Sequence, residues 1–299
     1  MAPLARPAVS SADRRAVATI THAANASTLP LDVFVATRLR NPRRASATWW
    51  LLEDGGVAVA SLVAYPLTFA AGDAIAIGYG LGAVGTAPSA RARGYATELC
   101  RQVIDANEAE GRRVGLLYSA IPPTFYVRLG FHVVPAWHHV CARPAELAAG
   151  GPCVPLTPID PRAEAATLAD LYTRRHGGAL HLHRDAAGFV RSVELNPDDL
   201  FFGLSLGGGT PLRGYVRVAV EAESLEVVEE VVPAPERAAA LRAVARLAVG
   251  CKALTVEGWF DPCPTVADFF TDRGRATTLP MVRGFADLAR ARFSSADYF

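Results

Sequence analysis

The sequence predicts an α+β fold with mixed (α/β) sheets flanked by helices, laid down twice in tandem. Three observations predict it. Helical and strand periodicities alternate along the chain. The element order of residues 1–146 returns in residues 155–299. A seven-residue stretch, Phe125-Tyr126-Val127-Arg128-Leu129-Gly130-Phe131, is answered by Phe269-Phe270-Thr271-Asp272-Arg273-Gly274-Arg275. Val84 to Pro88 is answered more faintly by Val231 to Pro235. The interval is too long for a solenoid and fits duplication of a whole domain. A 299-residue chain that is 51% hydrophobic can fill two cores.

Taken in order, Ser10 or Ser11 caps a first helix with Asp13 in its first turn and Val17, Ile20 and Ala24 as its buried stripe. Leu29–Leu39 is a second helix, stopped by Asn41-Pro42. Thr48–Glu53 and Val57–Tyr65 are strands joined by the hairpin turn Asp54-Gly55-Gly56. Ile75–Thr86 continues the meander through Gly78, Gly80 and Gly82, which weaken a strand unless a bulge or a close ligand uses them. A helix from about Ala92 to Glu110 stops at Gly111. Val114–Tyr118 is a buried strand, Pro122 and Pro123 open a short helix with Phe125, Tyr126 and Leu129 that ends at Gly130, and Phe131–Val134 with Trp137–Ala142 closes the sheet. Gly150-Gly151-Pro152 is the linker. The second half repeats the plan: helix Glu164–His176, strands Phe201–Leu206 and Gly214–Val220 around a Gly207-Gly208-Gly209 turn, strand Leu225–Val232, helix Arg237–Val249, strand Ala253–Val256 and short helix Val266–Thr271.

A net charge of +1 implies no general pull toward nucleic acid or membrane. Cys100, Cys141, Cys153, Cys251 and Cys263 form no CxxC pair, so neither a zinc site nor a disulfide scaffold is indicated, and a reducing cytoplasm fits. The N-terminus has no apolar signal core. The apolar region from Leu51 to Ala87 is interrupted by Glu53, Asp54, Pro66 and Asp73, as strands are and a membrane helix is not.

The chemistry is concentrated in Leu81–Leu99, LGAVGTAPSARARGYATEL, a strand that ends near Pro88, a loop and a helix start. Helix-leading amides lack internal partners and the helix dipole is positive there, so a basic, glycine-containing entry is an anion site. It is not a Walker loop, because Lys252 is the only lysine. Nor is it a dinucleotide fingerprint, because Gly94 stands alone. Arg91-x-x-Gly94-x-Ala96 resembles the acetyl-coenzyme A loop of the GNAT N-acetyltransferases, Arg/Gln-x-x-Gly-x-Gly/Ala. The run PPTFYVRLGF resembles their second signature, a tyrosine followed by an apolar-glycine-aromatic turn.

The resemblance implies two tandem acyl-CoA N-acyltransferase-like domains, 1–146 and 155–299. It implies acetyl-CoA as co-substrate, held by Val84, Gly85 and Thr86 on the strand and by Arg91, Ala92, Arg93, Gly94, Tyr95, Ala96 and Thr97 in the loop and helix start. Ser119 is a further cofactor candidate, in a stretch similar to the LxxS of some relatives, though a strand-end turn role suits it equally. Direct attack by a neutral amine needs a donor for the oxyanion and an acid for the leaving thiolate, and no Ser or Cys nucleophile. Tyr126 is the expected acid: a phenol with a pKa near 10 stays protonated at neutral pH.

The general base is not legible; Asp32, Glu53, Asp54 and His132 are local candidates, each with a surface or turn explanation. Tandem members of the family that modify aminoglycosides use a C-terminal carboxylate, and Phe299 stands at that place. His181-Leu182-His183 and His138-His139 lack a third metal ligand nearby, so no metal is expected. In the second copy Glu236-Arg237-Ala238-Ala239 replaces the loop and Phe270 replaces Tyr126, so that copy is expected to be degenerate. The expected activity is acetyl transfer to a primary amine of a small molecule: an amino acid, amino sugar or antibiotic. The alternatives are a protein or peptide acetyltransferase and a non-catalytic acyl-CoA sensor. Oligomeric state is left open.

Overall fold

The computed structural model describes residues 2–205, 211–260, 263–275 and 278–297. The Gly207-Gly208-Gly209 turn and Phe299 therefore lie outside the described residues. Edge strand β1 (Leu4–Pro7) precedes helices α1 (Ser11–Ala24) and α2 (Leu31–Arg40). Ser10 caps α1 through its hydroxyl and Asp13 returns a bond to the Ser10 amide, a capping box. Then come β2 (Thr48–Asp54), β3 (Val57–Ala71), β4 (Ala74–Thr86), α3 (Tyr95–Ala109), β5 (Val114–Ser119), α4 (Thr124–Val127), β6 (His132–Val133), β7 (Trp137–Cys141) and α5 (Pro144–Ala149). The second half holds β8 (Leu156–Pro158), α6 (Ala165–His176), β9 (His181–Leu182), α7 (Ala186–Glu194), β10 (Leu200–Leu204), β11 (Gly214–Val220) and β12 (Ser224–Val231). It closes with α8 (Arg237–Gly250), β13 (Thr255–Trp259), α9 (Pro264–Phe269), β14 (Thr271–Arg275) and β15 (Leu279–Arg283).

Two mixed sheets result. The first runs β1-β2-β3-β4-β5-β15-β6, with β9 also paired to β3; the second runs β14-β7-β13-β12-β11-β10-β8. Each half thus lends strands to the other: β15 and the short β9 join the first sheet, and β7 joins the second. β15 lies antiparallel between β5 and β6, and β7 lies antiparallel between β13 and β14. This corrects the expectation that Trp137–Ala142 closes the first sheet. Pro135, which can donate no ladder bond, sits in the connection, and Val140 and Cys141 are buried on the far side of it. The repeat survives the exchange: α4 then β6 in the first half corresponds to α9 then β14 in the second.

Alternation along each strand assigns the helices to faces. Leu51 and Val63 face α1 and α2, with Val17 and Val35. Leu52 and Leu62 face α3 and α4, with Leu99, Val103 and Tyr126. In the second sheet Val216, Val218 and Val227 pack under Leu241, Val244 and Ala248 of α8. β3 is longer than expected and passes through Pro66, which is tolerated because β2 pairs with β3 only as far as Ala64. The C-terminal segment lies between the sheets. The Tyr118 hydroxyl of β5 donates to the Ser294 carbonyl at 3.2 Å, and the Ser295 hydroxyl donates to the Val228 carbonyl of β12 at 3.2 Å. Arg184 ties this segment down through Asp297 and also bonds Glu229 at 2.8 Å, all three buried. Among the described residues no helix is long and apolar enough to cross a membrane.

Candidate active site

β4 pairs with β3 to its end, but with β5 only from Gly78–Leu81 against Val114–Leu117. Past Leu81 the two parallel strands part. A bulge accompanies the parting: Gly82 faces Val63 and Gly85 faces Ser61, so Ala83 and Val84 share one partner position. Ala83 takes a φ of 52° there. It packs toward α1, whereas Val84 packs toward α3. Val84, Gly85 and Thr86 therefore lie on a stretch with a strand on one edge only. A Cβ on Gly85 would stand 2.9 Å from the Ala24 Cβ, so this glycine lets α1 rest on the strand.

The chain then turns through Pro88–Ala90, and the Ala87 amide donates to the Val59 carbonyl at 2.9 Å. Ala92 (φ 63°) and Gly94 (φ 80°) are left-handed, which is why α3 begins at Tyr95 rather than at the expected Ala92. Gly94 is the N-cap and supplies no side-chain acceptor; a Cβ there would meet nothing within 4 Å. The leading amides of this 15-residue helix, those of Tyr95, Ala96 and Thr97, have no intrahelical acceptor. Arg91 and Arg93 are exposed beside them. The Arg91 guanidinium also donates to the Ala23 carbonyl at 3.1 Å, pinning the loop to the end of α1. Tyr95 donates its hydroxyl to Asp54, which raises its pKa. Nothing acidic in the turn opposes a phosphate: Glu98, one turn into α3, is paired with Arg101 at 2.6 Å. The loop has the amides, the charge and the clearance that a pyrophosphate requires.

Tyr126 is in α4, buried in the cluster that also receives Val84 and Tyr95. Its ring meets Phe125 at 4.7 Å and Phe131 at 6.3 Å, both edge-on. Burial raises its pKa, so the phenol stays protonated. The turn after it is fixed by Gly130, at φ 80°, where a Cβ would collide with the Arg283 guanidinium. That guanidinium comes from β15 and donates to the Leu129 carbonyl at 2.8 Å. The end of β4, the loop and Tyr126 therefore converge on one face of the first sheet. Ser119 is buried, and its hydroxyl donates to the Ile121 carbonyl at 2.8 Å, the turn role that the sequence also allowed.

Most of the base candidates have other partners. Asp32 pairs with Arg15 at 2.5 Å, Glu53 with Arg6 at 2.7 Å, and Asp54 accepts from Tyr95; His132 is exposed on β6. His181 bonds the Ala179 carbonyl at 2.8 Å and His138 pairs with Glu257 at 3.1 Å. No group of three metal-ligating side chains occurs among the described residues.

Sequence reasoning missed the cleft between the sheets, which the C-terminal segment partitions. On one side is a cavity of about 700 Å³ at the parting of β12 and β13, lined by Val228, Glu229, Trp259 and Phe260. The adjoining helix α8 begins after Glu236, without a glycine turn. On the other side are cavities of about 360 Å³ and 370 Å³ that share Arg43, Asn196 and Ala296. No local motif announces them, because their walls come from both halves.

Residues 11–134 match the family model described as the acetyltransferase (GNAT) domain. No curated protein matches the sequence. Among solved structures, the chain is similar to a conserved Enterococcus faecalis protein described as a probable N-acyltransferase (TM-score 0.73, 11% identity, 95% of this chain and 72% of that one). It is similar to a GCN5-related N-acetyltransferase from Kribbella flavida (TM-score 0.71, 18% identity, 94% and 71%). A tandem GNAT protein from the clavulanic acid biosynthesis pathway is covered over its whole length (TM-score 0.58, 16% identity, 96% and 100%).

Proposed function

We propose that this chain, whose residues 11–134 match the acetyltransferase (GNAT) domain model, is an acyltransferase that transfers an acetyl group from acetyl-CoA to a primary amine of a small molecule. The observation that carries this reading is the convergence of three features on one face: the parted strands β4 and β5, the open start of α3, and Tyr126. Arg91, Arg93 and the amides of residues 94–97 would hold the pyrophosphate. The β4 edge at Val84, Gly85 and Thr86 would pair with the pantetheine arm and face the thioester carbonyl. Tyr126 would hydrogen-bond the departing thiolate and give it a proton; burial keeps the phenol protonated at neutral pH, though it also makes it a weaker acid.

Cavities of 360 to 370 Å³ between the halves support a small acceptor over a peptide, since ligand pockets run to about 300–1,000 Å³. The second copy serves as the far wall and does no chemistry of its own: Phe270 is buried and has no hydroxyl, and Glu236 occupies the helix entry, paired with Arg213 at 2.8 Å.

The test is release of free thiol from acetyl-CoA across an amine library, run beside Tyr126→Phe. Amine-dependent release that falls roughly 10²–10³-fold in the variant, with coenzyme A binding kept, is expected. Release only with peptides would move the acceptor to protein. Stabilisation by acetyl-CoA with no release for any amine would make the chain a sensor.

A further inference from the structure

We propose that Glu226, on the second sheet, reads the acceptor: it faces the cavity at the end of β5 and pairs with a cationic group of the incoming molecule, so the acceptor is a small amine carrying more than one amino group. This rests on the acetyl-transfer reading above and extends it to the substrate class.

The placement comes from register and lining. The cavity of about 360 Å³ is lined by Arg43, Asn196, Asp199, Glu226, Trp259 and Thr278 among others. Thr278 directly precedes Leu279, whose partner is Ser119, the last residue of β5. The Trp259 ring lies 6.3 Å from that of Tyr118, also on β5. The cavity therefore lies beside Tyr118 near the end of β5, on the face of the sheet opposite Leu117 and Tyr126. Along β12, Leu225 and Val227 point into the α8 core, which sends Glu226 to the opposite face, toward the cleft.

The charges then distinguish Glu226 from its neighbours. Asp199 is neutralised by Arg217 at 2.5 Å, and Arg217 is fully buried. Arg43 donates to the Asn196 amide oxygen. Glu257, opposite Glu226 on β13, is paired with His138 at 3.1 Å. Glu226 has no ion pair among the described residues. Burial, reinforced by Glu257 and Asp199 and opposed by the Ser295 hydroxyl and His138, raises its pKa. A half-buried carboxylate without a cation is costly, and a cationic ligand recovers that cost on binding. The attacking amine must be neutral, so the charge that Glu226 meets belongs to another amino group. A diamine or an amino sugar satisfies this.

The probe is 1,4-diaminobutane, with butylamine as the singly charged control, titrated by calorimetry into the full chain and used as acceptor in the thiol-release assay. The wild type is expected to bind the diamine more tightly than butylamine. Glu226→Gln should weaken diamine binding and raise its KM roughly tenfold, with kcat, butylamine affinity and acetyl-CoA affinity unchanged and the thermal midpoint equal to or above the wild type's. Glu226→Asp should recover part of the loss. Equal diamine affinity in wild type and Glu226→Gln, or no preference for the diamine in the wild type, would overturn the proposal. Diamine binding that depends on Glu226 without thiol release would refute acetyl transfer and leave this assignment standing. Thiol release with an unchanged diamine KM would do the reverse.

Discussion

At the scale of single residues, three positions carry different burdens. The Tyr126 hydroxyl has no hydrogen-bond partner among the described residues, so its removal forfeits no bond within the protein. Tyr126→Phe should melt at or slightly above the wild-type temperature while losing turnover. A pronounced fall in thermal midpoint, read by calorimetry, would assign the hydroxyl a structural role instead. Because burial raises its pKa, the wild-type rate should show no alkaline decline from this group below its ordinary value of about 10. Gly94 and Gly130 are both left-handed at φ 80° but differ in their surroundings. At Gly94 a side chain meets open space, so Gly94→Val should cost roughly 1–2 kcal/mol of backbone strain while blocking the ligand's approach. At Gly130 the Arg283 guanidinium fills the space, so Gly130→Ala should cost more stability than Gly94→Ala; equal midpoints would contradict this.

At the scale of elements, the loop was legible because its residues are consecutive. Arg91, Gly94 and Ala96 state the turn, and the structure adds the left-handed Ala92, which delays α3 by a turn. Helix α1 was legible from Ser10 and Asp13. The strand exchange was not. Periodicity tells that Trp137–Ala142 is a strand, but either sheet satisfies its apolar face, so nothing local chooses between them, and periodicity does not mark Leu279–Arg283 as a strand at all. The same holds for Glu226: on β12 it reads as the polar half of an alternating strand, and only packing against the C-terminal segment gives it a cavity. That segment is held by a buried ion pair, so Asp297→Asn should leave Arg184 partly uncompensated and destabilise the chain by about 3–5 kcal/mol. A denaturation midpoint matching the wild type would show that other contacts hold the segment.

At the scale of the molecule, the exchanged strands make the two halves one folding unit. Residues 1–146 alone lack β15, which leaves β5 and β6 without the strand between them. The isolated fragment should show no cooperative unfolding transition; a sharp one would mean that the first half closes its own sheet. Stability should also depend on pH. Burial lowers the pKa of His139, His176 and His181, so the folded chain keeps them neutral. The unfolded chain then binds more protons wherever the pH is below the free histidine value of about 6.5. Thermal midpoints should accordingly be flat above that value and fall as the pH drops through it. Midpoints that rise on acidification would contradict the buried, neutral assignment.

The central claim is that the first half alone grips acetyl-CoA, through the β4 edge and the start of α3. Calorimetric titration of acetyl-CoA into the full chain tests it directly, using wild type, Gly94→Val and Tyr126→Phe. One site per chain is predicted, abolished by Gly94→Val and kept by Tyr126→Phe. Two sites per chain, or full affinity in Gly94→Val, would contradict it.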